Sequence, residues 1–182
     1  MRGNRLSDLL ILASMIGLGA AFSAYQRQPE SSSTPRPTAQ ASSAVGFPER
    51  AVPFQLSTLN GQQESFSGNG PAIFTLTAIG CDGCRKRVPL DGQLWEMANK
   101  AKVPVWNLLV YATPPAGANF VAEFAPRADH IVVDPQGQVS VNQYGGSDAN
   151  CWMMIGADGR FLYRGKEDLD AMKRALDTLI IR

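Results

Sequence analysis

The chain has 182 residues, enough for one domain of ordinary size and an appendage. Its 17 lysines and arginines nearly balance 16 aspartates and glutamates, so the net charge of +1 gives no sign of a nucleic-acid-binding surface. Three cysteines are too few for a small disulfide-stapled fold, and a single histidine argues against most metal-hydrolase and triad mechanisms.

The N-terminus contains a segment that we predict to enter a membrane. Residues 9–25 carry no charge and follow Arg2 and Arg5. A run of this length is at the lower limit for a bilayer span and also suits a signal peptide. The best cleavage candidate, at residues 21–23, is weak, which favours an uncleaved signal-anchor over residues 1–25. The arginines would then hold the N-terminus in the cytoplasm, in a single-pass protein of the cell membrane.

A linker and a domain follow this segment. Residues 26–46 are rich in Ser, Pro, Thr, Ala and Gln and have almost no large apolar side chain. Such a composition cannot bury a core and predicts a flexible tether. The folded domain is expected to span residues 47–182, on the extracytoplasmic (periplasmic or lumenal) side of the membrane.

The hydrophobic pattern of residues 47–182 predicts an α/β domain. Strand and helix periodicities alternate along the chain. They predict a β-hairpin with the turn Asn60-Gly61, a strand at 72–78, a helix at 81–101 kinked by Pro89, a strand at 105–112, a helix at 118–125, a strand at 130–133, a short element ending at Tyr144, a hairpin with arms at 152–155 and 161–164, and a helix from about Glu167. This order indicates a central mixed sheet flanked by helices on both faces.

Two cysteines form the one well-defined reactive motif. Cys81 and Cys84 follow the strand at 72–78 and open the next helix. The leading sulfur then faces unpaired N–H groups at the positive end of the helix dipole, which favours the thiolate. The second thiol lies one turn further on, where it can resolve a mixed disulfide. A strand–CxxC–helix arrangement therefore predicts redox chemistry, with Cys81 attacking and Cys84 resolving.

Residues 50–182 resemble the thioredoxin superfamily, and most of all its membrane-anchored extracytoplasmic branch related to TlpA and ResA. The resemblance is carried by the CxxC motif and by a set of landmarks: Pro53, Phe54, Leu56, Leu59, Gly61, Pro89, Asp134-Pro135-x-Gly137, Tyr144-Gly145 and Asp158-Gly159-Arg160. It implies a thioredoxin-like fold and a thiol–disulfide oxidoreductase that acts on protein thiols or disulfides outside the cytoplasm, as in cytochrome or metalloenzyme maturation. It implies no cofactor, no metal ligand and no nucleic-acid partner.

The chain departs from the pattern of that branch at several positions, among them Gly80, where relatives carry Trp, and Asp82-Gly83, where they carry a dipeptide ending in Pro. Three further departures bear on the chemistry. Asn150 stands where relatives carry a cis-proline opposite the thiols, Thr75 where they carry a strand Asp or Asn, and Arg87 where some have a proton-handling glutamate. Because that proline presents backbone to a substrate chain, its replacement implies one dedicated partner. Asn150, Cys151 and Trp152 are accordingly the predicted substrate-binding residues.

Other interpretations of these residues remain open from the sequence alone. The domain could be a non-catalytic thioredoxin-fold subunit or assembly factor of a membrane or metalloprotein complex. It could also handle copper through Cys81, Cys84 and Cys151, because thiolates are soft ligands. Cys151 could equally be a small buried residue at a strand start. The basic run at 85–87 either favours the thiolates or forms a solvated surface.

Overall fold

The structure is a computed structural model that describes residues 48–146 and 150–180. The predicted signal-anchor at 1–25 and linker at 26–46 lie outside these ranges, so both stay predictions. Within the described ranges, no helix has the length and apolar character that a bilayer crossing requires.

Within the described residues, one mixed sheet has seven strands: Phe54–Thr58 (β1), Gln63–Phe66 (β2), Ala72–Ala78 (β3), Val105–Val110 (β4), His130–Asp134 (β5), Asn150–Ile155 (β6) and Phe161–Gly165 (β7). Their order in the sheet is β2-β1-β5-β4-β3-β6-β7. Strands β3, β4 and β5 run parallel to one another, whereas β1 and β2, and likewise β6 and β7, pair antiparallel. Strand β3 lies in the interior of the sheet, with parallel β4 on one side and antiparallel β6 on the other.

In the part of the chain that the structure describes, three α-helices and one π-helical segment connect and flank the strands. They are Asp82–Lys100 (α1), Pro114–Phe124 (α2), the π-helical segment Gln138–Gln143 and Leu169–Ile180 (α3). Helix α1 continues through Pro89. Helix α2 starts four residues before the predicted 118, because Pro114 and Pro115 occupy its first positions. The missing N–H of a proline costs nothing there, and its fixed φ suits a helix start.

The two faces of the sheet are covered differently. The three α-helices pack on one face, here called the helix face, through Leu94 and Ala98 of α1, Phe120 of α2, and Met172 and Leu176 of α3. The other face, here called the aromatic face, buries a ring cluster under the π-helical segment: Phe54, Phe66, Phe74, Trp106 and Tyr144. Phe66 and Phe74 meet edge to face with ring centroids 5.1 Å apart, a favourable aromatic geometry.

A buried carboxylate shapes the segment that covers the aromatic face. Asp134, at the end of β5, accepts backbone N–H bonds from Gln138 at 2.9 Å, Val139 at 3.1 Å and Ser140 at 2.8 Å, and a hydroxyl bond from Ser140 at 2.7 Å. These bonds satisfy the first N–H groups of the segment.

The predicted α/β class, the mixed sheet flanked by helices and both hairpins are confirmed. The expectation of helices on both faces is wrong for the α-helices, all three of which lie on the helix face. Strands β3, β4 and β5 follow one another in one direction across the sheet, so right-handed crossovers place α1 and α2 on the same face.

Candidate active site

Cys81 caps helix α1, which follows strand β3. After β3 the chain turns, with the N–H of Cys81 bonded to the carbonyl of Ala78 at 3.1 Å. Cys81 has extended backbone angles, and its Sγ accepts the N–H of Cys84 at 3.2 Å. This sulfur takes the place of the oxygen in an ordinary N-cap, where the helix dipole favours negative charge. The arrangement therefore stabilises a thiolate at Cys81.

Cys84 is fully buried beneath the half-buried Cys81. Burial and, after it, the side-chain hydrogen bond with Cys81 raise the pKa of the Cys84 thiol to about 11. The backbone of Ala78, which hydrogen-bonds the Cys84 sulfur, and the charge of Arg87 both lower this pKa. The Cys81 thiol is thus partly exposed at the helix N-cap, and the Cys84 thiol is shielded from solvent. The attacking role of Cys81 and the resolving role of Cys84 stay predictions.

The basic run at 85–87 separates into two environments. The side chain of Arg85 is 43% exposed, lies 3.9 Å from the Asp82 carboxylate, and stacks 5.6 Å from the ring centre of Phe124. Lys86 is exposed as well. Solvent screens such charges, so their effect on the sulfurs is small. Arg87 turns inward instead and is buried.

Arg87 joins helix α1 to the end of strand β3. Its Nη2 donates to the carbonyl of Leu76 at 2.6 Å and to the hydroxyl of Thr77 at 3.0 Å. Leu76 and Thr77 directly precede Ala78, whose backbone holds the Cys84 sulfur. The guanidinium of Arg87 and the sulfur of Cys84 therefore contact adjacent residues at the end of β3.

Two carboxylates pair with this guanidinium. Its Nε lies 3.1 Å from Asp91, one turn further along α1, and its Nη1 donates to Glu167, before α3, at 2.9 Å. Asp91 also accepts the indole N–H of Trp152 at 2.7 Å. Burial alone would lower the pKa of Arg87, but Asp91 and Glu167 raise it. Burial raises the pKa of Asp91 against the opposing charge of Arg87 and the bond from Trp152.

The structure corrects two of the three predicted substrate-binding residues. Trp152 is fully buried on the helix face and bonded to Asp91, so its indole cannot contact a substrate. Cys151 pairs with Leu76 in the sheet and packs on the aromatic face, away from helix α1. Burial raises the pKa of its thiol, which makes it less reactive. The physical reason is the alternation of a strand, which sends neighbouring side chains to opposite faces and neither to the edge.

Asn150 stays a predicted substrate-binding residue. Asn150 begins β6, and its backbone pairs with Thr77 at the end of β3, just before the chain reaches Cys81. The peptide bond before it starts at Ala149, outside the described residues, so the trans geometry expected without proline also stays a prediction. A copper site that joins Cys151 to Cys81 and Cys84 is wrong, because Cys151 lies on the other face of the sheet.

Sequence reasoning missed Asp91, Glu167 and the inward turn of Arg87. The first was detectable, because a basic and an acidic residue four apart share one face of a helix. That face also carries Cys84, three residues before Arg87. No local sequence pattern indicated Glu167, because only the packing of the segment before α3 against α1 brings this residue to Arg87. His130 begins β5, where its Nδ1 lies 2.8 Å from Glu64 and its ring stacks on Trp106.

Comparisons with known proteins agree with this architecture. No family model matches the chain, and no curated protein matches it. Solved structures do match, among them a thiol-disulfide oxidoreductase from Bacteroides fragilis (19% identity, 71% of this chain and 98% of that one, TM-score 0.61). A secreted disulfide oxidoreductase from Mycobacterium tuberculosis matches at 19% identity over 69% of this chain and 96% of that one, with a TM-score of 0.54.

A third match is a thioredoxin-like protein from Aeropyrum pernix, at 17% identity over 69% of this chain and 88% of that one, with a TM-score of 0.56. At such identities the likeness establishes the fold. The chain has the thioredoxin fold, as its resemblance to the thioredoxin superfamily implied. The membrane-anchored branch stays a prediction, because it depends on residues 1–46.

Proposed function

We propose that the chain is an extracytoplasmic thiol–disulfide oxidoreductase that acts on a dedicated protein partner through Cys81 and Cys84. The observation that carries the proposal is the pairing of a half-buried, helix-capping Cys81 with a fully buried Cys84 whose N–H it binds at 3.2 Å. The matching solved structures described as disulfide oxidoreductases support the same chemistry. The charge-free run after Arg2 and Arg5 supports the extracytoplasmic location.

The reaction is a two-step exchange. The Cys81 thiolate attacks a disulfide of the partner, a mixed disulfide forms, and one partner sulfur leaves as a thiolate. Cys84 then loses its proton and attacks the Cys81 sulfur, which releases the second partner thiolate. The Cys81–Cys84 disulfide forms, and two electrons have passed to the partner. The reverse sequence oxidises a dithiol on the partner.

Oxidised glutathione tests this division of roles with matched single-atom variants. In a Cys84→Ser chain, Cys81 should accumulate as the glutathione mixed disulfide, whereas the unaltered chain should proceed to the Cys81–Cys84 disulfide. A Cys81→Ser chain is the control and should react much more slowly, because Cys84 is shielded. Intact-mass measurement distinguishes these products. A Cys84 adduct that forms as fast as the Cys81 adduct would overturn the assignment.

The dedicated partner rests on Asn150 at the start of β6. Without proline, the backbone at the start of β6 is expected to offer its N–H and C=O groups to an extended substrate chain in a different geometry. Asn150→Pro should therefore raise the rate of insulin reduction, with glutathione exchange as the control that stays constant. Rapid insulin reduction by the unaltered chain would contradict a dedicated partner. Glutathione exchange without transfer to any protein disulfide would instead favour the non-catalytic subunit.

A further inference from the structure

Arg87 occupies the position from which a charge can act on the resolving thiol. It lies one helical turn after Cys84, with a side chain that is 4% exposed. Its guanidinium is fixed to the strand carbonyl and hydroxyl that precede the backbone holding the Cys84 sulfur. A fixed and buried guanidinium is screened far less than the exposed Arg85 and Lys86.

We propose that Arg87 is a positioning residue for thiol exchange, whose buried charge stabilises the Cys84 sulfur in the steps where that sulfur becomes anionic. The inference rests on the proposed function and assigns a cation to the position where some relatives carry a proton-handling glutamate. Thr75, where relatives carry a strand Asp or Asn, is neutral, and its hydroxyl donates to the carbonyl of Trp106 at 3.5 Å. The contribution proposed for Arg87 is therefore stabilisation of a thiolate, since a guanidinium does not exchange protons at neutral pH.

The charge on Cys84 appears at the same atom in both directions of exchange. When Cys84 resolves a mixed disulfide, its S–H proton leaves to water and the sulfur becomes the attacking anion. When a partner thiolate attacks Cys81 of the disulfide, the Cys81–Cys84 bond breaks and its electron pair goes to the Cys84 sulfur. In each case a nearby positive charge lowers the energy of that anion.

Asp91 and Glu167 limit how strongly Arg87 can act. Both carboxylates bond the guanidinium directly, at 3.1 and 2.9 Å, so part of its charge is neutralised. Asp91 is the more buried of the two, with a side chain 1% exposed against 21% for Glu167. Removing the Asp91 charge should therefore strengthen the effect of Arg87 on Cys84. Removing the charges of Arg87 and Asp91 together should abolish that effect.

Two variants with opposite expected outcomes follow. Asp91→Asn keeps a side-chain oxygen for the Trp152 N–H and leaves Arg87 in place, so the pKa of Cys84 should fall. The double variant Arg87→Met with Asp91→Asn removes the whole buried pair, so the pKa of Cys84 should rise. Removing Arg87 and Asp91 together avoids a fully buried unpaired charge, which would endanger folding. Glu167 loses its guanidinium partner in this variant, but its side chain is 21% exposed and reaches solvent. Arg87→Lys should lie near the unaltered protein.

The pKa should be read from the pH dependence of the Cys84 ¹³Cβ chemical shift. A Cys81→Ser background leaves a single titrating thiol at the site, and a reading there needs no catalytic activity. We expect about a tenfold change in thiolate fraction for each variant, the size of one pKa unit. Lys86→Met is the control for an exposed charge and should leave the titration unchanged. Shifts in the same direction, or no shift in either variant, would overturn the proposal.

The rate of resolution supplies a second readout. With Cys81 present and loaded with glutathione, glutathione release reports the attack by Cys84. A tenfold gain in thiolate is partly offset by the lower nucleophilicity of a more acidic thiol, so roughly a threefold change per pKa unit is expected. Asp91→Asn should accelerate release and the double variant should slow it. A purely structural role for Arg87 would slow both, and failure of the proposed function on proteins would leave both readouts intact.

Discussion

On the aromatic face of the sheet, Phe74 of strand β3 is buried among other rings, whereas Thr77 of the same strand is buried on the helix face against a guanidinium. Ring packing tolerates small adjustments and contributes stability through the area it removes from water. A buried charge cluster must keep every partner, because a single unpaired charge is costly. The two faces therefore differ in composition and in the change that destabilises them, which is loss of packing on the aromatic face and loss of a charged partner on the helix face.

The buried cluster of charged side chains lies beside the thiols. Arg87, Asp91 and Glu167 meet on the helix face, next to the part of β3 that holds Cys84. A fold can bury an equal volume with apolar side chains at no electrostatic cost, as the ring cluster of the aromatic face does. Charged groups buried beside reactive groups are candidates for a functional role. The comparison separates residues that hold the fold together from residues that tune the site.

The largest effect on stability is expected on the aromatic face. Phe74→Ala removes a fully buried ring that contacts Phe54, Phe66, Trp106 and Tyr144. Its loss should lower the free energy of unfolding by about 3–5 kcal/mol, as measured by urea denaturation. The pKa of Cys84 should not change, since this face carries no charge that acts on the sulfur. A shifted Cys84 titration would break the proposed separation between the two faces.

A smaller effect is expected on the helix face at alkaline pH. Burial and the side-chain hydrogen bond with Cys81 raise the pKa of Cys84 from 9.0 to about 11, so the folded dithiol form resists ionisation more than the unfolded chain does. The related stability is fully present below pH 9 and is lost as the pH rises to about 11. Two pKa units correspond to about 3 kcal/mol. Urea denaturation at pH 8 and pH 11 measures this loss.

The disulfide form is the control for that measurement. Its Cys84 cannot titrate, but every lysine and tyrosine still does. The dithiol form should therefore lose more stability between the two pH values than the disulfide form. Equal losses in the two forms would show that burial does not raise the pKa of Cys84.

Trp152→Phe tests whether a buried hydrogen bond contributes more to the free energy of unfolding than an exposed one. The change keeps most of the buried ring but removes the N–H that Asp91 accepts at 2.7 Å. Leaving this buried carboxylate short of a donor should cost about 1–3 kcal/mol of unfolding free energy. The matched control is Trp95→Phe, which removes an exposed N–H bond to Asp129 of 3.3 Å and should cost less. An equal cost for both variants would contradict the importance of the buried bond.

Much of this fold could be predicted from the sequence, because the informative patterns are local. The strand at 72–78 matches β3 residue for residue, and the helix predicted at 81–101 is α1, Asp82–Lys100. The N-cap position of Cys81 follows from that boundary. Alternating apolar residues and the Asn60-Gly61 turn were enough to predict the first hairpin.

What could not be predicted depends on contacts between distant segments. The sequence places Trp152 two residues after Asn150, but only the pairing of β6 with β3 shows that its indole points into the core toward Asp91. Arg87 follows two exposed basic residues, and Glu167, 80 residues further along the chain, completes its pairing. Helical spacing could have placed Arg87 on the face of Cys84 and Asp91. It could not have supplied Glu167.

The smallest effect is expected at the third cysteine. Cys151 is 6% exposed, packs on the aromatic face and donates a 3.6 Å bond to the carbonyl of Trp152. A buried cysteine of this kind acts as a small hydrophobic side chain, so Cys151→Ala should lower the free energy of unfolding by about 1 kcal/mol. Glutathione release from Cys81 and the Cys84 titration should both match the unaltered chain. If Cys151 instead formed an alternative disulfide with Cys81, its removal would change the oxidised products seen by intact-mass measurement and peptide mapping. An unchanged set of products would leave the Cys81–Cys84 pair as the sole carrier of exchange and assign Cys151 to packing.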